Sequence, residues 1–177
     1  VYLVAWDGSR WSDPQLQETL TTFVDQETQN FVEFNCLKAQ MVGGKDLYVL
    51  GCDAGAGQDI WMLKREVPDV SIWFPEKAVW SPLVKVTTSE SRLPSLTLLS
   101  ENGSRIHAFW SQANDANPAR PGSSIYYARW ETGIWSQPEA VLSSPQGKAD
   151  QPAVALDEQD RLLVVWSGGF GGEIYFS

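Results

Sequence analysis

Apolar residues along this chain fall at alternate positions or in unbroken runs of four to eight, and helical spacing is nearly absent. Clusters of Gly, Asn, Asp and Pro bound these runs, so they read as short strands joined by turns. The clearest stretch is 123–138, Ser-Ser-Ile-Tyr-Tyr-Ala-Arg-Trp-Glu-Thr-Gly-Ile-Trp-Ser-Gln-Pro. It is an aromatic and β-branched run, a polar turn with a Gly, then Trp-Ser and a Pro. The same text opens the chain as Val1-Tyr2-Leu3-Val4-Ala5-Trp6, a turn, and Trp11-Ser12-Asp13-Pro14. It recurs, stretched, from Asp59-Ile60-Trp61 to Trp80-Ser81-Pro82, and its first half returns as Glu173-Ile174-Tyr175-Phe176-Ser177. The equivalent aromatics Tyr2, Trp61, Tyr126 and Tyr175 are 59, 65 and 49 residues apart. Text that recurs at such a period marks an array of structural units.

With the strands of one unit lettered a to d, the chain divides into a partial unit 1–35, units 36–86 and 94–141, and a partial unit 152–177. The first supplies a c strand (1–6), a turn (7–10) and a d strand from Trp11. Residues 15–35 form a long, poorly patterned connection, either a longer d strand or an excursion. In the second unit, strands a (36–42) and b (47–52) flank the turn Gly43-Gly44-Lys45-Asp46, c is 60–65, and d (79–86) follows an expanded connection. The third unit has a at 94–99, a turn (100–104) with the hairpin signal Asn102-Gly103, b at 105–110, a polar b–c loop (111–123), c at 125–130 and d at 134–141. The last has a at 152–156, b at 161–166, a Gly-rich loop (168–172) and c at 174–176. Four antiparallel strands at this period are the blade of a β-propeller. The expectation is therefore an all-β chain of four-stranded antiparallel blades, about three of them present. A two-sheet sandwich is the alternative, but a sandwich need not repeat its text. Trp110 and Trp166 close strand b, while Trp11, Trp80 and Trp135 open strand d. Packing between blades accounts for both sets, and stacking on sugar rings is the other use of such side chains.

The formal net charge of −9 and pI near 4.5 remove the basic face that nucleic acid or an anionic membrane surface requires. Apolar runs such as 162–166 fall far short of the roughly 20 residues of a membrane helix. Two cysteines have no metal-ligand spacing. Cys36 and Cys52 do lie almost opposite one another about the Gly43-Gly44 turn, which allows either a cross-strand disulfide or two buried thiols.

The recurring Pro-x-Leu, the hairpin carrying Asp or Asn-Gly, the apolar strand ending Trp-Ser, and Ile-Tyr-Tyr-x-x-Trp, Gly, Trp-Ser-x-Pro together resemble the sialidase-like propeller superfamily of Asp-box (BNR) repeats. The resemblance spans almost the whole chain and is weakest over 15–35. The family's Asp box, Ser-x-Asp-x-Gly-x-Thr-Trp, sits in the c–d turn. The turns Trp6-Asp7-Gly8-Ser9-Arg10-Trp11 and Trp130-Glu131-Thr132-Gly133-Ile134-Trp135 keep an acid, the Gly and the Trp but lose the leading Ser and the spacing. The family usually closes six blades, so the resemblance implies that further blades come from a longer chain or from copies of this one. It also implies an extracellular or cell-envelope setting.

Ligands of such propellers bind at the channel mouth, where d–a connections and b–c loops meet. Sialidase-type catalysis uses an arginine cluster for the substrate carboxylate, a Tyr–Glu pair and an Asp acid. Ser91-Arg92-Leu93-Pro94 resembles the segment that carries the first arginine, and Asp150, before Gln151-Pro152, stands in the matching place one unit on. Arg120 in the b–c loop is within reach of the mouth, and Asn114 and Asp115 of that loop offer hydrogen bonds to a sugar or a weak Ca²⁺ site. No complete arginine triad is legible. His107, the sole histidine, reads as structural, and the Gly clusters lack the strand–helix context of a phosphate loop. The expected function is thus a glycan- or ligand-binding propeller segment, probed against two rivals. One is an exo-glycosidase with catalytic groups outside this chain, and the other a structural interaction platform.

Overall fold

The computed structural model describes residues 2–4, 9–11, 13, 15–16, 23–25, 31–34, 36–53, 59–66, 80–87, 95–114, 122–169 and 172–177. Among them the chain is all-β, with antiparallel sheets and no helix. The strands are β1 (Tyr2–Leu3), β2 (Gln15–Leu16), β3 (Phe23–Val24), β4 (Phe31–Val32), β5 (Lys38–Val42), β6 (Asp46–Cys52), β7 (Ile60–Glu66) and β8 (Val84–Lys85). They continue with β9 (Leu96–Glu101), β10 (Arg105–Asn114), β11 (Gly122–Glu131), β12 (Ile134–Trp135), β13 (Glu139–Leu142), β14 (Ala149–Leu156), β15 (Leu162–Gly168) and β16 (Glu173–Phe176).

The sheets follow the recurring text. The second unit is the meander β5-β6-β7-β8, and the third is β9-β10-β11 with β12 and β13 together forming its fourth strand. The last unit is β14-β15-β16, and β1 pairs with β2 in the first. Within 15–35, expected as either a longer d strand or an excursion, the described residues show β2 paired with β1 and β3 paired antiparallel with β4. Strand d of the third unit is interrupted at Ser136-Gln137-Pro138, where the proline has no N–H to give the ladder. The expected b–c loop of this unit, 111–123, is shorter than its polar composition suggested. Ser111 to Asn114 pair in register with Gly122 to Ile125, leaving 115–121 outside the described residues.

Asn102 (φ 47°) and Gly103 (φ 62°) hold the left-handed conformations that a tight hairpin demands, as the Asn-Gly signal predicted. At Gly103 a side chain would also meet Gly43, because the a–b turns of the second and third units touch. The turns of the third and last units are joined as well, by Asn102 Nδ2 donating to Asp160 Oδ2 at 3.3 Å. Equivalent corners therefore sit side by side.

The sheets stack face to face because their strands are apolar on both sides. Tyr48, Leu50, Cys52, Ile60 and Met62 of the second unit pack on Leu96, Ile106, Ala108, Trp110 and Ala128 of the third. The opposite face of the third, with Phe109, Ile125 and Tyr127, packs on Val154, Val164, Trp166 and Tyr175 of the last. β5 lies against β9, and β14 lies across β9, β10 and β11, while among the described residues β8 and β13 have no comparable contact with a neighbouring unit. The last unit repeats the alternation but leaves one face open. Leu163, Val165, Ile174 and Phe176 are 49, 44, 77 and 84% exposed there.

The Trp-Ser text has one structural role in both complete units. Ser81 Oγ accepts the Lys64 N–H and Ser136 Oγ the Arg129 N–H, each at 2.9 Å, so the serine side chain extends the c–d ladder beyond its backbone bonds. In the second unit Gly51 stands where Trp110 and Trp166 stand in the others, paired with the same c-strand aromatic position. The Phe34 ring fills the space, and a Cβ on Gly51 would fall 2.3 Å from it. Cys36 and Cys52 form a disulfide with Cα atoms 5.1 Å apart, the first of the two alternatives left open by the sequence. It ties the Phe34 segment to strand β6.

Candidate functional site

The first strands of adjacent units meet at Ser95 and Asp150. Both stand where strand a begins, opposite the serine that follows the Trp of strand b. Ser95 N–H donates to Ser111 Oγ at 3.0 Å, and Ser167 Oγ donates to the Asp150 carbonyl at 3.1 Å. The two units are then bridged by Ser95 Oγ donating to Asp150 Oδ1 at 2.9 Å. The pairing of β14 with β15 slips between Asp150 and Ala153, and Gln151 takes a left-handed φ of 51°. Pro152 supplies no ladder donor, so a bulge forms there, and bulges commonly re-aim a side chain. Asp150 Oδ1 also accepts the Gln151 N–H at 2.8 Å, which locks the carboxylate over the bulge. Asp150 is half-buried, and its Oδ2 lies on no hydrogen bond within the described residues.

In strand register the counterpart of Asp150 is Ser95, three residues after Arg92, rather than Arg92 itself. Arg92, Asp115 and Arg120 lie outside the described residues. Asn114 is the last residue of β10, its backbone paired with Gly122, so it ends a strand instead of sitting within a loop. Among the described residues no group of three His, Cys, Asp or Glu side chains is placed to hold a metal ion. Arg65, on strand c, is buried over the Trp80 ring, 5.9 Å from its centroid, and burial lowers its pKa.

A second feature opens between the outer strands of the second and third units. It is a cleft of about 380 Å³ lined by Lys85, Thr87, Gln112, Tyr126, Gln137 and Pro138. Lys85 Nζ lies 2.5 Å from Asp59 Oδ2 and 5.4 Å from the Trp61 ring centroid. Burial pushes the Asp59 carboxyl above its usual value, against the opposing pull of Lys85. Gln112 Oε1 accepts the Nε1–H of fully buried Trp110 at 3.1 Å, and the Tyr126 ring stacks on Trp110 with centroids 6.2 Å apart. None of these residues was singled out from the sequence as a ligand contact. A signal was present: Trp-Ser-Gln occurs as Trp110-Ser111-Gln112 and again as Trp135-Ser136-Gln137, and both glutamines line the cleft.

At the far end of β9, buried His107 stands in a line between the partly buried Glu101 and Tyr127. Glu101 Oε2 and Tyr127 OH each lie 2.9 Å from a ring nitrogen of His107. An ionised carboxylate only accepts, so Nε2 carries a proton and Nδ1 faces the phenol. The hydrogen bond from His107, more than that from Arg105, holds the Glu101 carboxyl below its usual range, while burial pushes the Tyr127 phenol up. These groups join strands a, b and c of one unit, which fits the structural role expected of His107.

No model of a known protein family and no curated protein matches this chain.

Proposed function

We propose that this chain is a segment of a sialidase-like β-propeller that binds a glycan at the edge where its first strands begin. The observation that carries this reading is the Ser95–Asp150 bridge, which sets a carboxylate from one unit beside the strand start that follows Arg92 in the next. The blade reading itself is supported by equivalent corners in contact, by first strands that touch where, among the described residues, fourth strands do not, and by the repeated role of the Trp-Ser serine. On that reading the open face of the last unit receives a further four-stranded unit, from a longer chain or from another copy. The disulfide favours an oxidising, extracellular or envelope setting. The carboxylate at the edge is a hydrogen-bond acceptor for sugar hydroxyls. With Arg92, Arg120, Asn114 and Asp115 it forms the proposed contact set.

Glycan-array binding measured beside turnover of a fluorogenic sialoside tests this. Binding without turnover, weakened by Arg92→Ala and Asp150→Asn, is the expected result. Turnover abolished by Arg92→Ala would establish a sialidase-type hydrolase in its place. Neither binding nor turnover would leave the interaction platform as the reading.

A further inference from the structure

We infer that the cleft between the second and third units is a separate binding site for a neutral saccharide. Its volume, about 380 Å³, lies in the range of small-molecule sites, and it shares no residue with the Ser95–Asp150 edge. A ligand in the cleft would therefore make its contacts through residues other than Ser95 and Asp150.

The lining selects the chemical class. Among the described residues Lys85 is the one cation in it, and Asp59, held 2.5 Å away, compensates that charge. A phosphate or carboxylate ligand is recognised by cations free to make charge-assisted bonds, and the described lining offers none. A flat aromatic ligand would call for an apolar slot, yet three of the side chains here are glutamines or a phenol. Trp110 takes the carbonyl oxygen of Gln112, which leaves the amide N–H₂ of Gln112 to donate into the cleft. The Gln137 amide both donates and accepts, and so does the Tyr126 hydroxyl. Amides and a phenol beside an aromatic ring and a proline match a sugar, whose hydroxyls exchange hydrogen bonds while its C–H face rests on apolar surface. The parts are held in place: Tyr126 is braced on buried Trp110, and Lys85 is fixed between Asp59 and the Trp61 ring.

The site also follows from how the units stack. The first strands lie against the neighbouring sheets and, among the described residues, the fourth strands do not, so a gap opens beside the fourth strands, and side chains after each Trp-Ser of the third unit line it.

Isothermal titration and saturation-transfer NMR with lactose, cellobiose and N,N′-diacetylchitobiose test the assignment. At least one of these disaccharides is expected to bind with a millimolar dissociation constant. Gln137→Ala, at an exposed position, and Gln112→Ala should each weaken it by about tenfold or more, the loss of one or two sugar hydrogen bonds. Arg92→Ala and Asp150→Asn should leave it unchanged. Failure of all three disaccharides to bind the wild-type chain would overturn the inference. So would binding that depends on Arg92 or Asp150 and ignores Gln137 in variants whose near-ultraviolet circular dichroism is native.

Discussion

Replacing Glu101 with Gln tests whether the line of side chains through strands a, b and c of the third unit is held by a charge. The carboxylate accepts from His107 Nε2 at 2.9 Å and from Arg105 Nη1 at 3.1 Å, and the His107 side chain is only 5% exposed. A hydrogen bond to a charged group contributes about 1.5–3 kcal/mol and a neutral one about 0.5–1.5, so the His107 bond alone should lose about 1–2 kcal/mol. Arg105 is 39% exposed and screened by solvent, so its share is small. The sign with pH follows from the depressed carboxyl. Its stabilisation is complete above the unfolded carboxylate value, about 4.3, and disappears as pH falls through the lower folded value. Urea unfolding of wild type and Glu101→Gln should therefore differ by about 1–2 kcal/mol at neutral pH and converge in strongly acidic buffer. A gap that is absent at neutral pH, or that persists undiminished in acid, would refute a charged bond as the source.

Trp110→Ala should destabilise by about 3–5 kcal/mol in the same assay, since this fully buried ring fills the interface between the second and third units and holds both Tyr126 and Gln112. Reducing Cys36–Cys52, or replacing both with Ala, should lower stability by about 3 kcal/mol, the loop-closure value for a span of this length. Proteolysis should then cut first near Phe34, whose seat on Gly51 the disulfide secures. Gly51→Ala, by contrast, should displace Phe34 and destabilise even with the disulfide intact; an unchanged midpoint of unfolding would show that the ring has room to move.

Much of the fold was legible because the information is local and repeated. Period-two alternation bounded by Gly and Asn placed strands β5 to β7, β9 to β11 and β14 to β16 within a few residues, and Asn102-Gly103 named its own turn conformation. The errors share a cause. Ser111, Gln112 and Asn114 are polar yet paired, because the ladder is made by backbone groups and continues past the point where the side chains stop being apolar. Strand d of the third unit read as continuous because hydropathy does not register the donor that Pro138 lacks. The substitution of Gly51 and Phe34 for a Trp was invisible for another reason. It trades one residue against another 17 positions earlier in the chain, and only the packed structure brings them together.

The site was less legible, and the reason is physical. Binding surfaces here are built where units meet, and a sequence orders residues within a unit better than between units. The prolines that suggest matching Asp150 to Arg92 are not equivalent in register, because Pro152 falls opposite the position of Leu96 rather than Pro94, and the one-residue bulge at Gln151-Pro152 adds a further step that puts Ser95 at the place of Asp150. Equivalent positions of adjacent units meet there, with Asp150 Oδ1 2.9 Å from the Ser95 hydroxyl. The cleft follows the same logic in reverse: Lys85 and Thr87 come from one unit and Gln112, Tyr126 and Gln137 from the next. Only the repeated Trp-Ser-Gln hinted that two glutamines share a face. If both surfaces are products of stacking, weakening the stack should cost ligand affinity before it costs the fold of a single unit. Val164→Ala, buried between the third and last units, should reduce binding at the Asp150 edge while leaving the disaccharide affinity of the cleft intact. Titration of both ligands against that one variant reads the two effects together, and equal losses at both surfaces would show that they do not arise from separate interfaces.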